Sequence, residues 1–476
     1  MDSQTKPLPN DVPARTVTNF TASRAYRAEV HQRIPGGAHT YSRGDDQFPE
    51  LGPAAIARGL GGRVWDVDGN EYIDCALALG SVALGHAYEP VLAAVREQLA
   101  LGAAFQRPAA IELELAREFL AVTPGAERIK FAKNGSTVTT AAVKLARAFT
   151  SRPLVAFPKN HPFYSYDDWY IAQTLTTNGI PQEAKRLAVT YDSTKPETLE
   201  ALFAAHPGEI ACVITEPTEY VGQRDEAIRE VQRITRRGAA LFVLDEMVSG
   251  FRAGFPGAYP ALGLEPDMVT WGKAAGNGFS FCALTGRADV LDLGGIKQAG
   301  APRVFLISTT HGGEAHALAA ARAVLVEYQT KDILGQHRRI TAAVAAGMRR
   351  AVAAHGIADK LEIHASSWRI LVVCRDGEGK VSHGMRTLLM QEMMGRGVLF
   401  QGLFLPCYSH TDADVAGIVA AFDASAQVYR HALDRNFDTY LVGDAARPVF
   451  RRYNGCKELC PSVPCPNEPR CRNGSQ

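Results

Sequence analysis

The chain has 476 residues, of which 46% are hydrophobic, and its 51 Lys and Arg residues against 50 Asp and Glu residues give a net charge of +1. This length is enough for two or three domains with a sizeable core. The near-neutral charge argues against a general nucleic-acid binder, and no apolar run is as long as a membrane helix. The polar first residues contain no apolar secretory core, so we expect a cytoplasmic protein.

The first 75 residues are expected to contribute to a smaller domain and to the substrate entrance. They contain Pro35-Gly36-Gly37 and end in a hairpin-like pattern over residues 62–74. Asp68-Gly69-Asn70 stands between the two strand-like runs of this pattern and is a strong turn signal.

Residues 76–314 alternate short apolar runs with helical patterns and are expected to form the large domain. Strands are predicted at 154–157, 211–214, 240–244 and 268–270, and helices at 138–149 and 225–237. Short apolar runs are typical of strands that are buried on both faces of a parallel sheet. The alternation predicts an α/β domain, in which ligands bind at the carboxyl ends of the strands.

Residues 315–445 are mostly helical and alanine-rich, with strand candidates at 367–374 and 398–405. We expect them to form a small α+β domain, and residues 446–476 to form a disordered tail rich in Pro and Cys. The spacing of the tail cysteines differs from the paired pattern of common zinc sites, so no metal site is predicted. These cysteines are Cys456, Cys460, Cys465 and Cys471.

Two segments that follow apolar runs carry residues suited to catalysis. Asp245 and Glu246 end one run, and acidic side chains at a strand end commonly anchor a ligand, although a helix cap is the alternative. Lys273 follows another run and precedes a glycine-rich loop. A lysine that is partly desolvated there has a lowered pKa and becomes a nucleophile toward carbonyls, although most lysines are surface residues.

Two further segments are suited to binding an anion. Asn134-Gly135-Ser136 opens a predicted helix, where backbone N–H groups and the helix dipole favour a phosphate. An ordinary helix cap is at least as common a use of these residues. Thr310, followed by Gly312 and Gly313, has a similar character.

These features fall in one order along the chain. Asn134-Gly-Ser, Glu216-Pro, Asp245-Glu followed by Gly250-Phe-Arg, Trp271-Gly-Lys and Thr310-x-Gly-Gly together resemble the class III aminotransferases of pyridoxal-phosphate fold type I. Within that class the sequence is most similar to the glutamate-1-semialdehyde 2,1-aminomutase branch, from about residue 25 to about residue 430. The resemblance implies a large domain with a mostly parallel seven-stranded sheet flanked by helices, and a smaller α+β domain.

The resemblance also implies roles for single residues. Lys273 matches the lysine that forms the internal aldimine with pyridoxal 5'-phosphate and shuttles a proton, and Asp245 matches the partner of the pyridine nitrogen. Thr310 matches a threonine that reaches the phosphate from the neighbouring subunit, which implies a homodimer with shared active sites. The other cofactor contacts that it implies are Asn134, Gly135, Ser136, His161 and Glu216.

The sequence departs from the branch where the substrate is expected. Asn160 and Pro162 replace the aromatic residue and the glycine that usually flank the histidine matched by His161, and residues 400–405 lack the glutamate of the branch. Acidic residues at 167 and 168 would favour cationic or polyhydroxylated substrates. The residues expected to contact substrate are Arg43, Tyr164, Asp167 and Glu314.

We therefore expect a ping-pong aminotransferase that uses aldimine and pyridoxamine forms of its cofactor. Its small-molecule partners would be an amino-acid donor and an aldehyde or ketone acceptor, such as an amino-sugar, aminoglycoside or other secondary-metabolite precursor. Neither nucleic acid nor a membrane is an expected partner. The alternative is glutamate-1-semialdehyde 2,1-aminomutase, which moves the amino group within one molecule to make a tetrapyrrole precursor. A catalytically silent protein that binds the cofactor is a third hypothesis.

Overall fold

The computed structural model of the protein describes residues 13–159, 163–217 and 225–454. The chain divides into two compact units. The first consists of the described residues up to Leu79, of Leu84–Ala87, and of the described residues from Gly335 onward. The second consists of Gly80–Ala83 and the described residues between Tyr88 and Leu334. The cysteines of the predicted tail lie outside the described residues, as does the segment 160–162.

The described residues form fourteen strands and three sheets. In chain order the strands are β1 (Ile56–Leu60), β2 (Arg63–Asp66), β3 (Glu71–Asp74), β4 (Arg128–Ala132), β5 (Leu154–Pro158), β6 (Ala188–Tyr191), β7 (Ile210–Thr215), β8 (Leu241–Asp245), β9 (Met268–Trp271), β10 (Cys282–Gly286), β11 (Leu361–Ala365), β12 (Ile370–Cys374), β13 (Val398–Leu399) and β14 (Leu403–Phe404).

The same residues form fourteen α-helical segments, several of them only one turn long. In chain order they are α1 (Thr21–Arg33), α2 (Leu77–Gly80), α3 (Glu89–Leu101), α4 (Ala110–Val122), α5 (Gly135–Thr150), α6 (Asp168–Ile171), α7 (Gln182–Lys185), α8 (Glu197–Ala205), α9 (Asp225–Arg237), α10 (Ala288–Leu291), α11 (Ala315–Thr330), α12 (Ile333–Ala354), α13 (His383–Met394) and α14 (Asp412–Arg435).

The second unit is built on a seven-stranded sheet with the order β4-β10-β9-β8-β7-β5-β6. Strands β9, β8, β7, β5 and β6 pair in parallel, whereas β10 pairs antiparallel with both β9 and β4. Every residue of β5, β7 and β8 is buried, which explains their uninterrupted apolar sequences. The predicted α/β fold with a mostly parallel seven-stranded sheet is confirmed.

Helices cover this sheet in the way that the sequence pattern predicts. Helix α5 contacts β7, β9 and β10, and buries one face made of valine, leucine and alanine side chains. Helix α11 packs against α3 and α4 within the same unit. The predicted division of the chain into four parts is finer than these two units and stays a prediction.

The first unit contains two small sheets. One has the order β1-β2-β3-β13, and its β2–β3 hairpin closes with Gly69 at a φ of 84°, as the turn signal predicts. The other is the antiparallel sheet β11-β12-β14. The single strand predicted at 398–405 is wrong. It is two short strands in different sheets, because Gly402 adopts a φ of 82° and breaks the extended backbone between them.

The core of the first unit lies among its three long helices. Ile340 and Met348 of α12, Leu388 and Met393 of α13, and Phe422 of α14 have no exposed side-chain surface. Burial of this apolar surface is the main stabilising contribution to the unit. Across the described residues, none of the helices is both long enough and apolar enough to cross a bilayer.

Candidate active site

Two functional side chains lie at the carboxyl ends of neighbouring parallel strands. Asp245 is the last residue of β8, and Lys273 comes two residues after the end of β9. The two strands pair so that Asp245 lies opposite Thr270. Because parallel strands end at the same edge of a sheet, this register brings the predicted carboxylate and the predicted amine together at that edge.

The amine of Lys273 is suited to react as a neutral nucleophile. The residue is half-buried, and burial lowers the pKa of its amine below the usual range, although the negative charges of Asp245 and Glu216 act in the opposite direction. Glu216 follows the last residue of β7, the strand next to β8, and is 3% exposed. Three successive strand ends therefore bring together the three charged residues expected around the cofactor.

The backbone around Lys273 is constrained. Lys273 itself has a φ of 44°, in the left-handed region, which costs an L-residue about 1–2 kcal/mol. A methyl group on the preceding Gly272 would lie 2.3 Å from Met247 Sδ and 2.6 Å from Cys282 Sγ. Only glycine fits between these two sulfur atoms, so the loop before the lysine can take few other conformations.

The carboxylate of Asp245 is held by two donors. The hydroxyl of Thr270 donates to Asp245 Oδ1 at 2.8 Å, and the backbone N–H of Met247 donates to the same oxygen at 2.9 Å. Asp245 is 4% exposed, and Thr270 has no exposed surface. Two donors on one carboxylate oxygen fix the rotation of the side chain.

The residues predicted to bind an anion lie at the start of helix α5. Asn134 is the N-cap residue, and its Oδ1 accepts hydrogen bonds from the backbone N–H of Thr137 at 3.0 Å and from the Thr137 hydroxyl at 3.1 Å. Ser136 is buried, and its hydroxyl oxygen accepts a hydrogen bond from the backbone N–H of Tyr166. Gly135 opens the helix, where first-turn N–H groups have no acceptor within the helix and attract anions.

Met247 connects the start of α5 to the lysine loop. A methyl group on Gly135 would lie 3.2 Å from Met247 Cε, and the Sδ of the same side chain lies against Gly272. The start of α5 and the loop that carries Lys273 therefore pack against the same methionine side chain.

The cap of α5 makes a separate prediction on stability. Replacing Asn134 with Ala should lower the free energy of unfolding by about 1 kcal/mol, because the backbone N–H of Thr137 loses its acceptor. Asn134→Ser keeps a side-chain acceptor at the N-cap and should retain most of the stability. Chemical denaturation of the two variants and the wild type measures the difference. Equal losses for Ala and Ser would contradict the capping role.

Glu246 is a buried carboxylate whose position the sequence did not reveal. Its side chain has no exposed surface and accepts hydrogen bonds from the Ser249 hydroxyl and from the backbone N–H of Tyr259. Burial raises the pKa of Glu246 to about 7 in spite of these hydrogen bonds. The sequence showed two adjacent acids, but alternation along a strand end could not tell which of them points to the site.

Glu246 should make the stability of the protein depend on pH. Because the pKa is about 7 in the folded state against an ordinary value of 4.5, the folded protein retains a proton between these pH values that the unfolded chain releases. Stability should therefore fall as pH rises from 4.5 to 7, with a contribution on the order of 3 kcal/mol. Glu246→Gln should remove this part of the pH dependence in denaturation experiments. The exposed Glu378→Gln should leave it in place, and parallel curves for Glu246→Gln and the wild type would contradict the argument.

Arg252, which ends the Gly-Phe-Arg stretch, makes hydrogen bonds to the protein backbone. It is 2% exposed, and its guanidinium donates to the carbonyl oxygens of Gly80 at 3.0 Å and Val82 at 3.3 Å. These contacts anchor the segment 80–83 to the loop that follows β8.

The residues near position 161, expected beside the cofactor ring and the substrate, differ in how far they are buried. His161 lies outside the described residues. Tyr164 is 2% exposed and packs edge-on against Phe157 and Tyr170, whereas Phe163 and Tyr166 are 48% and 62% exposed. Tyr164 is thus buried in an aromatic cluster, whereas the two neighbouring aromatic residues are exposed.

Asp167, which is expected to contact substrate, makes hydrogen bonds within its own unit. Its carboxylate accepts hydrogen bonds from the hydroxyls of Thr140 and Ser165, and it lies half-buried. The hydrogen bond from Thr140 joins the loop that carries Asp167 to α5, and the expected substrate role stays a prediction. Asp168 is exposed at the first position of α6.

The last predicted residues lie on two different units. Glu314 is the N-cap of α11, and its carboxylate forms an ion pair with Lys133 at 3.1 Å and lies 3.4 Å from His311 Nδ1. Burial would raise its pKa, but the hydrogen bond and charge of Lys133, a backbone N–H and the nearby His311 together outweigh burial, so the pKa is lowered. Thr310 is exposed on the same unit, and Arg43 is exposed on the first unit.

The residues that surround Lys273 fit pyridoxal phosphate. The site combines an amine that releases its proton readily, a buried carboxylate for a ring nitrogen, and a helix start for a phosphate. When bound, this cofactor supplies an electron sink for charge that develops on a substrate carbon. Within the described residues, no three His, Cys, Asp or Glu side chains gather as metal ligands would.

Sequence comparisons agree with this arrangement. The profile of the family described as aminotransferase class-III matches residues 41–360. A glutamate-1-semialdehyde 2,1-aminomutase from Roseiflexus castenholzii is 32% identical over 73% of this chain and 81% of that relative. The enzyme of the same name from a strain of Thermus thermophilus is 34% identical over 58% of this chain and 68% of that relative.

Solved structures of other proteins have the same fold as this chain. The pyridoxal-phosphate internal aldimine form of the FumI protein from Sphingopyxis sp. MTA144 superposes with a TM-score of 0.79 at 25% identity, over 87% of this chain and 97% of that chain. A glutamate-1-semialdehyde aminomutase from Pseudomonas aeruginosa PAO1 superposes with a TM-score of 0.74 at 21% identity, over 85% of this chain and 94% of that chain. The second likeness concerns the fold alone.

Proposed function

Because this chain belongs to the class III aminotransferase family and is a pyridoxal-phosphate-dependent enzyme, we propose that it transfers an amino group with Lys273 and Asp245 at the reacting centre. One observation carries the proposal. The Lys273 amine, whose pKa burial lowers, lies at the end of β9 beside the buried Asp245 at the end of β8. A family fold without this pair would not support transfer.

The residues divide the work between them. Asn134, Gly135 and Ser136 would bind the phosphate at the start of α5, and Asp245 would hold a proton on the ring nitrogen. Lys273 would bind the cofactor covalently and, when its amine is free, would accept and deliver the proton that is exchanged between a substrate carbon and the cofactor. Glu216 would contribute negative charge beside the ring.

The substrate that we propose first is glutamate 1-semialdehyde, with the amino group moved from C2 to C1 of the same molecule. The support comes from the relatives above, which carry the aminomutase name at 32% and 34% identity. The ranking of the two candidate functions therefore differs from the one expected from the sequence, in which transfer between two molecules came first.

Transfer between two molecules remains the second candidate because of Gln401. The side-chain amide of Gln401 donates to the carbonyl oxygen of Ser42 at 3.0 Å within the first unit. A glutamate, which the aminomutase branch has in the corresponding stretch, could not donate this hydrogen bond when ionised. Residue 401 of this chain therefore has a different role from the glutamate of the aminomutase branch. It holds Ser42, which directly precedes Arg43 in the sequence.

A single-turnover experiment separates the two candidates. Holoenzyme is mixed with glutamate 1-semialdehyde without any other amine, and separately with L-glutamate. Formation of 5-amino-4-oxopentanoate in the first reaction supports the aminomutase. Stoichiometric release of 2-oxoglutarate in the second, without product in the first, supports the aminotransferase. If neither these compounds nor other common amino donors react, amino transfer at this site is wrong.

We also propose that the protein works as a homodimer in which Thr310 reaches the phosphate of the partner subunit. Thr310 borders a cavity of about 500 Å³ that Arg107 and Lys130 also line. Phe105 and Leu113 line the same cavity and are 53% and 57% exposed, which is typical of a surface that another chain covers.

The shared site can be tested by mixing two inactive variants. Lys273→Ala and Thr310→Ala should each lose activity as pure dimers. A mixed dimer would contain one site with both defects and one with neither, so up to about a quarter of wild-type activity should return after subunit exchange. Sedimentation gives the oligomeric state, and a monomer or a mixture without recovery would contradict the proposal.

The location that we propose is the cytoplasm. The five cysteines in the described part of the chain are all free thiols and all buried, which fits a reducing compartment.

A further inference from the structure

Thr270 makes hydrogen bonds to two adjacent residues, to the backbone of Glu246 and to the side chain of Asp245. Its backbone carbonyl oxygen accepts a hydrogen bond from the Glu246 N–H at 3.0 Å, and its hydroxyl donates to Asp245 Oδ1 at 2.8 Å. Thr270 has no exposed surface and pairs with Leu284 of β10 on its other side. The backbone that carries this hydroxyl is thus held by a strand on each side.

The hydroxyl of Thr270 is already oriented toward the carboxylate. Threonine is branched at Cβ, so few side-chain rotamers are open to it in a strand. Met247 supplies a second donor to the same oxygen from its backbone, at 2.9 Å. A side-chain replacement at residue 270 that removes the hydroxyl donor would therefore leave the Met247 N–H in place.

A hydrogen bond donated to a carboxylate stabilises its ionised form, so the carboxylate binds a proton less strongly. This effect is larger in a buried site, where water does not compete for the oxygen. In the proposed function, one proton lies between Asp245 and the ring nitrogen of the cofactor. The nitrogen keeps this proton only while the carboxylate is the weaker base of the two.

We propose that Thr270 is a positioning residue that keeps the Asp245 carboxylate weakly basic, so that the shared proton stays on the ring nitrogen. The inference rests on the proposed role of Asp245 and adds to it. On this inference, a carboxylate beside the ring is not enough to keep the ring nitrogen protonated. A hydrogen-bond donor must also lower the basicity of that carboxylate. Thr270 and Lys273 are carried by the same strand end, so one segment sets both the amine and the acid.

The test uses holoenzyme loaded with pyridoxal phosphate that is labelled with ¹⁵N in the ring. Thr270→Val keeps the shape of the side chain and removes the hydroxyl, whereas Thr270→Ser keeps the hydroxyl. In solid-state ¹⁵N spectra we expect wild type and Thr270→Ser at the position of protonated pyridine. Thr270→Val should move toward the unprotonated position, and its affinity for the cofactor should fall about tenfold. A Thr270→Val spectrum identical to the wild type would overturn the inference.

An Asp245→Asn sample separates this inference from the proposed function. If the wild-type ring is unprotonated, or if Asp245→Asn leaves it unchanged, the proposed role of Asp245 is wrong. If Asp245→Asn removes the proton and Thr270→Val does not move the resonance, only the inference about Thr270 fails.

A second pair of variants keeps the test decisive if Thr270→Val does not bind the cofactor. Thr270→Ser and Thr270→Cys have nearly the same shape but differ in donor strength, since a thiol is a weak donor. The resonance of Thr270→Cys should lie between those of Thr270→Ser and Asp245→Asn. Identical spectra for Ser and Cys would overturn the inference.

Discussion

Replacing Lys273 with Ala should reduce kcat by about 10⁴-fold or more, because the variant loses both the covalent link to the cofactor and the group that moves protons. No other described lysine is placed at the end of β9 beside Asp245. Turnover with the substrate that the single-turnover experiment selects measures the loss. Borohydride treatment should fix the cofactor on the peptide that contains Lys273 in the wild type and leave it removable in the variant.

Two comparisons make this result specific to Lys273. Lys380→Ala removes a surface lysine of the other unit, 75% exposed in its side chain, and should leave kcat unchanged. Small primary amines should partly restore proton transfer in Lys273→Ala, because they can occupy the volume that the side chain leaves. Full turnover in Lys273→Ala without added amine would contradict the assignment.

The positions of Lys273 and Asp245 could be predicted because each follows an apolar run. Strands buried on both faces have few polar residues, so the first charged residue after such a run marks a strand end. The observed strands β8 and β9 end at Asp245 and Trp271, close to the predicted limits of 244 and 270. Local sequence was sufficient here because burial acts on each strand separately.

The contacts that hold these residues could not be predicted, because they depend on which residues of different strands lie opposite one another. The hydrogen bond from Thr270 to Asp245 exists only in the observed β8–β9 register. The same reason applies to the hydrogen bonds of Asp167. Its partner Thr140 is 27 residues away along the chain, and the sequence contained no sign that they meet.

The loop before Lys273 shows how packing and chemistry are coupled in this site. The left-handed conformation of Lys273 is unfavourable by itself, but Gly272 lies between Met247 and Cys282 and leaves the backbone little choice. Backbone strain of this kind persists where the surrounding structure enforces it, and it is common at functional sites. The packing of Met247 and Cys282 around Gly272 thus holds the backbone that carries the Lys273 amine.

Asp245→Asn should lower kcat by about 10²–10³-fold, because a neutral amide cannot hold a proton on the ring nitrogen and the electron sink weakens. Asparagine has nearly the same shape, and its carbonyl oxygen can still accept from Thr270 and Met247, so the fold and the cofactor content should be retained. Kinetics together with the absorbance of bound cofactor measure both expectations.

Glu216→Gln is the matched control for Asp245→Asn, because both substitutions remove a carboxylate that raises the pKa of Lys273. Each substitution should therefore lower that pKa further. The acidic limb of the pH–rate profile should then move to lower pH in both variants. Only Asp245→Asn should also remove the proton from the ring nitrogen, so its loss of kcat at the optimal pH should be at least about tenfold larger. Equal losses for the two variants would mean that the field at Lys273, and not a contact to the cofactor ring, explains the need for Asp245.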